Sequence, residues 1–167
     1  SDGAGVVLAV GEGVTAFKPG DRVQGSFFLD WIDGPQKMGR ALGDGFAPGM
    51  LAEQVVLPAS GVVKMADSLD FAQAACMPCA GVTAWNALFE GGRPISAGSR
   101  VLVLGSGGVS LIALELAKAV GAAVIATSSS DDKLARVGGM GAAHLVNYKT
   151  TPDWGAHVAK EFGGAHK

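Results

Sequence analysis

Cysteine is nearly absent: Cys76 and Cys79 are the only two in a chain of 167 residues. That is too few to staple a small secreted scaffold with disulfides. Lysine and arginine never form a run and the formal net charge is −2, which argues against a nucleic-acid surface. No apolar stretch reaches membrane-spanning length unbroken, because Glu115 and Lys118 interrupt the longest one. Residues 6–10 are apolar but follow no basic region, so they make a poor signal peptide. No internal repeat is visible. Position 1 is not Met, the chain opens in what reads as mid-element, and it stops soon after Gly163-Gly164. These ends read as those of a fragment of a longer protein. Charged residues make up only 17% against 49% hydrophobic, a composition that packs a core and excludes disorder. The 26 glycines have no collagen-like period and gather at turns.

What is present centres on residues 99–134. Residues 101–104 are a short continuous apolar run, as expected of a strand buried on both faces of a parallel sheet. Gly105-Ser106-Gly107-Gly108 follows at once. Val109, Ile112, Ala113, Leu116, Ala117 and Val120 then recur at three- and four-residue steps, one face of a helix. Gly121 stands where a helix C-terminal glycine belongs, and residues 124–127 form a second apolar strand. Strand, glycine turn, helix and strand make the phosphate-binding half of a dinucleotide fold. The first glycine permits the tight turn, the second lets the backbone approach a pyrophosphate, and the helix N-terminus offers unpaired N–H groups. The third fingerprint position is Ser110 rather than glycine. No Gly-Lys-Ser/Thr follows, which excludes a P-loop.

Upstream the pattern differs. Residues 5–10 alternate weakly, Gly11-Glu12-Gly13 turns the chain, and Pro19-Gly20 precedes another strand at Val23. With short strands expected at 51–57 and 61–65, this part reads as a β-meander or small barrel. Residues 29–49 have no period, and a loop of that length is either functional or mobile. A helix is expected over 67–79 with Ser68 as N-cap, another over 82–89 stopped by Gly91-Gly92, and a third over 152–162 opened by Thr151-Pro152. β-rich first and β-α-β-α-β afterwards implies an α/β chain of two architectures, domains 1–80 and 81–167.

Four motifs in order, VGEGVTAFKPGDRV (10–23), MLAEQVVLP (50–58), CAGVTAWNAL (79–88) and VLVLGSGGVSL (101–111), carry a resemblance. Nearly the whole chain resembles the medium-chain dehydrogenase/reductase superfamily, closest to zinc-type alcohol dehydrogenase and quinone-oxidoreductase-like members. The resemblance implies a partial GroES-like catalytic domain, then the first half of a Rossmann parallel sheet. It also implies a cytoplasmic enzyme, homodimeric in its full-length form, that acts on a small molecule and on neither nucleic acid nor membrane. Catalytic zinc in such alcohol dehydrogenases uses a Cys, a His and a later Cys. By that alignment the first Cys lies upstream, Ser1 takes the histidine's place, and Cys79 takes the later cysteine's. A serine hydroxyl is a poor zinc ligand beside thiolate and imidazole. The lobe that holds structural zinc in many relatives falls within 29–49, which contains no cysteine. Zinc is therefore not expected, and the metal-free quinone-reductase-like branch is favoured.

Cys76 and Cys79 form a CxxC, but neither a second CxxC nor a thioredoxin strand accompanies them. Cys76 then reads as a small buried hydrophobe and Cys79 as a relic of the zinc ligand. His144, His157 and His166 read as surface or strand-end residues.

NAD-specific dinucleotide proteins place a carboxylate about twenty residues past the fingerprint, on the ribose 2′-hydroxyl. Here that place is Ser128, within Thr127-Ser128-Ser129-Ser130. A 2′-phosphate is repelled by a carboxylate but takes hydrogen bonds from hydroxyls, so NADPH is expected over NADH. The resemblance adds Lys133 and Tyr148 as grips on that phosphate, and Thr83 as a catalytic residue near the nicotinamide. The expected cofactor site is Thr83, Gly105, Ser106, Gly107, Gly108, Val109, Thr127, Ser128, Ser129, Lys133 and Tyr148. The expected reaction is hydride transfer to or from an alcohol or carbonyl, enone or quinone, with the 167 residues inactive by themselves. Two other readings stay open: a zinc alcohol dehydrogenase with an altered ligand set, and a non-catalytic, crystallin-like nucleotide binder.

Overall fold

A computed structural model describes residues 2–35 and 39–163, so Ser1 and His166 lie outside the described residues. The chain divides into two compact units, residues 1–79 and 80–167.

The first unit carries a three-stranded antiparallel sheet in the order β1 (Ala4–Val6), β2 (Arg22–Gly25), β3 (Val62–Lys64). The Pro19-Gly20 turn before β2 is closed by Asp21 N donating to Lys18 O at 3.1 Å, with Gly20 at φ 92°. The carboxylate of Asp21 accepts from Lys18 N and pairs with Lys64 Nζ on β3 at 3.2 Å. Asp44 likewise gathers the N–H groups of Ala41, Phe46 and Ala47. These bonds, led by Lys18 N–H for Asp21 and Ala41 N–H for Asp44, lower both carboxyl pKa values. Each contributes stability above the ordinary carboxyl pKa that is lost as pH falls through the depressed value.

The 29–49 stretch is not a bare loop. Leu29, Leu42 and Ala47 are buried together with Met50 and Leu57 packed on them, and Phe28 bridges Ala41. The strand expected over 51–57 does not form; Leu51 and Val56 are 94% and 92% exposed, and the segment joins neither sheet. Valine and leucine favour a pleated surface only where a neighbouring strand supplies the ladder.

The helix expected over 67–79 is shorter. α1 is Phe71–Ala75, and its N-cap is Asp70, not Ser68. Asp70 accepts from Gln73 N at 2.7 Å while Gln73 Oε1 accepts from Asp70 N at 3.0 Å, a reciprocal capping box that Ser68, with Phe71 three places on, cannot form. Arg22 fixes the approach, donating to Leu69 O at 2.7 Å and lying over the Phe71 ring. Pro78 has no N–H for the i→i−4 ladder, and Met77–Gly81 is a wide π-type turn instead.

In the second unit α2 (Val82–Trp85) gives way to another wide turn, Asn86–Glu90, ended by extended Gly91. A parallel sheet follows in the order β4 (Arg100–Leu104), β5 (Ala123–Ser128), β6 (His144–Asn147). α3 (Gly108–Ala119) and α4 (Asp131–Gly139) make the crossovers, and α5 (Trp154–Phe162) follows β6. Val101, Val103, Val124 and Ala126 face a core with Leu88, Ile95, Leu114, Ala117 and Val137. Leu102, Ile125 and Val146 face the other side, against Val158 with Trp154 and Phe162. Both faces are covered, which is why these strands are continuously apolar.

Two details depart from the helical pattern. On α3 the buried stripe is Ala113, Leu114 and Ala117, while Val109 is exposed beside the glycine turn. α5 starts at Trp154 because its first intrahelical bond runs from His157 N to Asp153 O; Thr151-Pro152 belong to the turn before it. Among the described residues no helix is long and apolar enough to cross a membrane.

Gly61 tests the packing of the first unit. A Cβ there would sit 2.8 Å from Leu29 Cδ2 and 3.0 Å from Leu29 Cα and O, so backbone must move. Gly61→Ala in the full-length protein is expected to cost about 1–3 kcal/mol, seen as a lowered thermal midpoint.

Candidate functional site

Parallel strands end on one edge of the sheet, and the residues singled out above gather on that edge. Leu104 and Thr127 are partners in register at the ends of β4 and β5. Gly105 leaves β4 at φ 81°, a conformation that favours glycine, and its N–H donates to Thr127 Oγ1 at 3.2 Å. The same hydroxyl reaches Val103 O at 3.5 Å, and Thr127 is 3% exposed. Thr127 therefore acts inside the fold, holding the glycine turn against β5. Ser110, in the third fingerprint position, donates from Oγ to Leu104 O at 3.1 Å and steadies the turn from its other side.

Ser106 is half-buried, whereas Gly107, Gly108 and Val109 are exposed. Gly107 is the N-cap of α3 and has no side chain to cap it. The first bond back into the helix runs from Leu111 N to Gly107 O at 3.0 Å, which leaves the N–H groups of Gly108, Val109 and Ser110 without helical acceptors. A Cβ on Gly105 or Gly107 would meet nothing within 4 Å, so the approach is open. Uncapped N–H groups at the positive end of a twelve-residue helix fit an anionic pyrophosphate.

A second group lies at the ends of β5 and β6. Ser128, 4% exposed, accepts from Ser130 N at Oγ (3.3 Å) and from Tyr148 N at its carbonyl (3.1 Å). Its hydroxyl proton is left to donate. Ser129 is half-buried, and Ser130 caps α4 by accepting from Lys133 N at 3.4 Å. The Lys133 and Tyr148 side chains are exposed. Two residues not expected from the sequence, Asp131 and Asn147, also stand here. Asp131 opens α4, and its Oδ1 accepts from Asn147 Nδ2 at 2.7 Å. The available signal was a carboxylate directly after a serine cap, with an asparagine beside Tyr148.

Two family models match the chain: an alcohol dehydrogenase GroES-like domain over residues 1–67 and a zinc-binding dehydrogenase domain over residues 108–167. A zinc-type alcohol dehydrogenase-like protein of Schizosaccharomyces pombe is 45% identical over 98% of this chain and 48% of its own length. The chain belongs to the medium-chain dehydrogenase/reductase superfamily. The crystal structure of an NAD-dependent alcohol dehydrogenase superposes with TM-score 0.84 at 38% identity, over 98% of this chain and 50% of that one. Escherichia coli quinone oxidoreductase complexed with NADPH gives TM-score 0.72 at 28% identity, over 98% and 44%. The chain spans about half the length of the curated relatives it matches.

Within this superfamily the first unit is a partial GroES-like fold and the second the first half of a Rossmann sheet. Thr83 is exposed on α2, which packs against α3, and its hydroxyl makes no hydrogen bond among the described residues. Cys79 is half-buried and unpaired. Among the described residues no group of three or more His, Cys, Asp or Glu is placed to hold a metal ion, and Ser1 lies outside them. Cys76 is exposed, not the buried hydrophobe expected, because it ends α1 and its Sγ turns back to Ala72 O at 3.4 Å. His144 stacks on Phe162 with ring centroids 4.2 Å apart, and both His144 and His157 are exposed.

The Thr127 bridge gives a direct test. Thr127→Val keeps the shape but leaves the Gly105 N–H without its acceptor, and is expected to destabilise by about 1–3 kcal/mol. Thr127→Ser keeps the hydroxyl and loses one buried methyl, about 0.8 kcal/mol. Thermal unfolding of the two variants should rank valine below serine.

Proposed function

We propose that the full-length protein is an NADPH-dependent oxidoreductase transferring hydride between the nicotinamide and an alcohol or carbonyl, enone or quinone, without catalytic zinc. The observation that carries this reading is the open glycine turn over the uncapped α3 N-terminus, with Ser128 rather than a carboxylate at the end of β5. When bound, the nicotinamide cofactor supplies or accepts the hydride. This chain's residues bind and orient it. The N–H groups of Gly108, Val109 and Ser110 take the pyrophosphate; Gly105, Ser106 and Gly107 let it approach; Thr127 sets the turn from beneath. Ser128 and Ser129 offer hydroxyls to the ribose 2′-phosphate, and Lys133 and Tyr148 close over it with a cation and a phenol. Thr83 lies near the nicotinamide on this reading. A carboxylate at 128 would repel a 2′-phosphate; a serine does not.

The kinship with alcohol dehydrogenases, quinone oxidoreductases and a tomato 2-methylene-furan-3-one reductase supports hydride chemistry on a small molecule. On this reading domains 1–80 and 81–167 belong to a cytoplasmic homodimer. The 167 residues alone hold the adenine half of the cofactor weakly and do not turn it over.

Titration of both cofactors into the full-length protein should give a lower Kd for NADPH, and Ser128→Asp should reverse the order. Equal or tighter NADH binding by the unmodified protein would overturn the preference. Elemental analysis of protein purified without chelator should find no stoichiometric zinc. One tightly held zinc per chain would favour the altered-ligand dehydrogenase, a reading that the half-buried thiol of Cys79 keeps specific.

A further inference from the structure

The phosphate-recognising edge contains an anion of its own. Asp131 opens α4 only three residues after Ser128, and Asp132 follows it. The positive end of the helix accounts for carboxylates there. A carboxylate beside a 2′-phosphate is nonetheless repulsive, and free to swing it would favour the cofactor that lacks the phosphate.

Asp131 is not free to swing. Its Oδ1 accepts from Asn147 Nδ2 at 2.7 Å, from the start of α4 to the end of β6. Asn147 is itself held at several points. Its Oδ1 accepts from Lys149 N at 3.0 Å, which fixes the amide with its NH2 toward Asp131. Its carbonyl accepts from Thr151 N at 2.9 Å and Thr150 Oγ1 at 3.3 Å. In the ladder Asn147 is the register partner of Ser128, and the next residue, Tyr148, donates its N–H to Ser128 O. The clamp is therefore built into the same strand ends as the proposed 2′-phosphate site. An asparagine suits the task because it donates to the carboxylate without adding charge.

We propose that Asn147 is a positioning residue for cofactor specificity: its amide holds the Asp131 carboxylate and keeps it from swinging onto a 2′-phosphate held by Ser128, Ser129, Lys133 and Tyr148. The inference rests on the proposed NADPH preference and deepens it. Releasing Asp131 should weaken NADPH binding and leave NADH binding nearly unchanged, because only NADPH carries the second anion.

The test is the ratio of Kd values for NADPH and NADH in the full-length protein, measured at low and at physiological salt. Asn147→Ala is expected to reduce the NADPH preference about fivefold, and by more at low salt, where the repulsion is less screened. Adding Asp131→Asn should restore the preference, since the released group is then uncharged. Asp131→Glu carries the carboxylate past the amide and should shift the ratio in the same direction as Asn147→Ala, giving an independent reading should the alanine variant fold poorly. A purely structural role would weaken both cofactors together, and that result overturns the clamp. A preference untouched by Asn147→Ala and Asp131→Glu overturns it as well. Unmodified protein that binds NADH as well as NADPH instead overturns the cofactor preference, and the clamp with it.

Discussion

Two parallel strands in register, and one hydroxyl between them, hold the glycine turn in place. Leu104 and Thr127 are register partners, so the chain leaving β4 must turn beside the end of β5. Thr127 Oγ1 accepts the Gly105 N–H just where the backbone swings to φ 81°, and reaches the Val103 carbonyl below. With the turn held there, α3 starts at Gly107 with no side chain over its end. An open helix terminus is useful to an anion only if the loop before it keeps one shape, because ordering a loose loop would oppose binding. A buried threonine supplies that rigidity without occupying the site.

The next edge outward follows a related logic with side chains in place of backbone. Ser128, Ser130, Asp131, Asn147 and Tyr148 come from the ends of two strands and the start of a helix, and hydrogen bonds join Ser128 to Ser130 and Tyr148 and Asp131 to Asn147. Beneath them the sheet is packed on both faces, with Leu102, Ile125 and Val146 on one side and Val101, Val103, Val124 and Ala126 on the other. Polar groups placed on such a platform keep their geometry. The first unit is organised differently. Its strands are three or four residues long, its turns are gathered by the carboxylates of Asp21 and Asp44, and a small core is built from Leu29, Leu42 and Ala47 with Met50 and Leu57.

Local pattern was most legible where packing agreed with it. The apolar run at β4, the glycine turn and Gly121 at φ 79° after α3 all have short-range causes, and each stands where the pattern puts it. The misreadings had competing short-range signals. Ser68 and Asp70 are both acceptable caps, and the glutamine at 73 decides for Asp70 through a reciprocal bond. Pro152 can open a helix, yet the first i→i−4 bond begins one residue later at Asp153. The leucine and valine content of 51–57 suggested a strand, but a strand is a property of two segments and this one joins neither sheet.

The sequence by itself determined the α/β class, the two architectures, the glycine turn between β4 and α3 and the absence of a carboxylate at 128, because each depends on residues adjacent along the chain. Only the tertiary structure decided that Thr127 turns inward, that the Ser128 hydroxyl lies against Ser130 N, and that Asn147 clamps Asp131. Those outcomes depend on which strand lies beside which and in what register. A one-residue slip between β5 and β6 would turn Asn147 to the opposite face of the sheet and leave Asp131 without its partner. Residues 131 and 147 are sixteen apart in the chain, and no local propensity carries information over that distance.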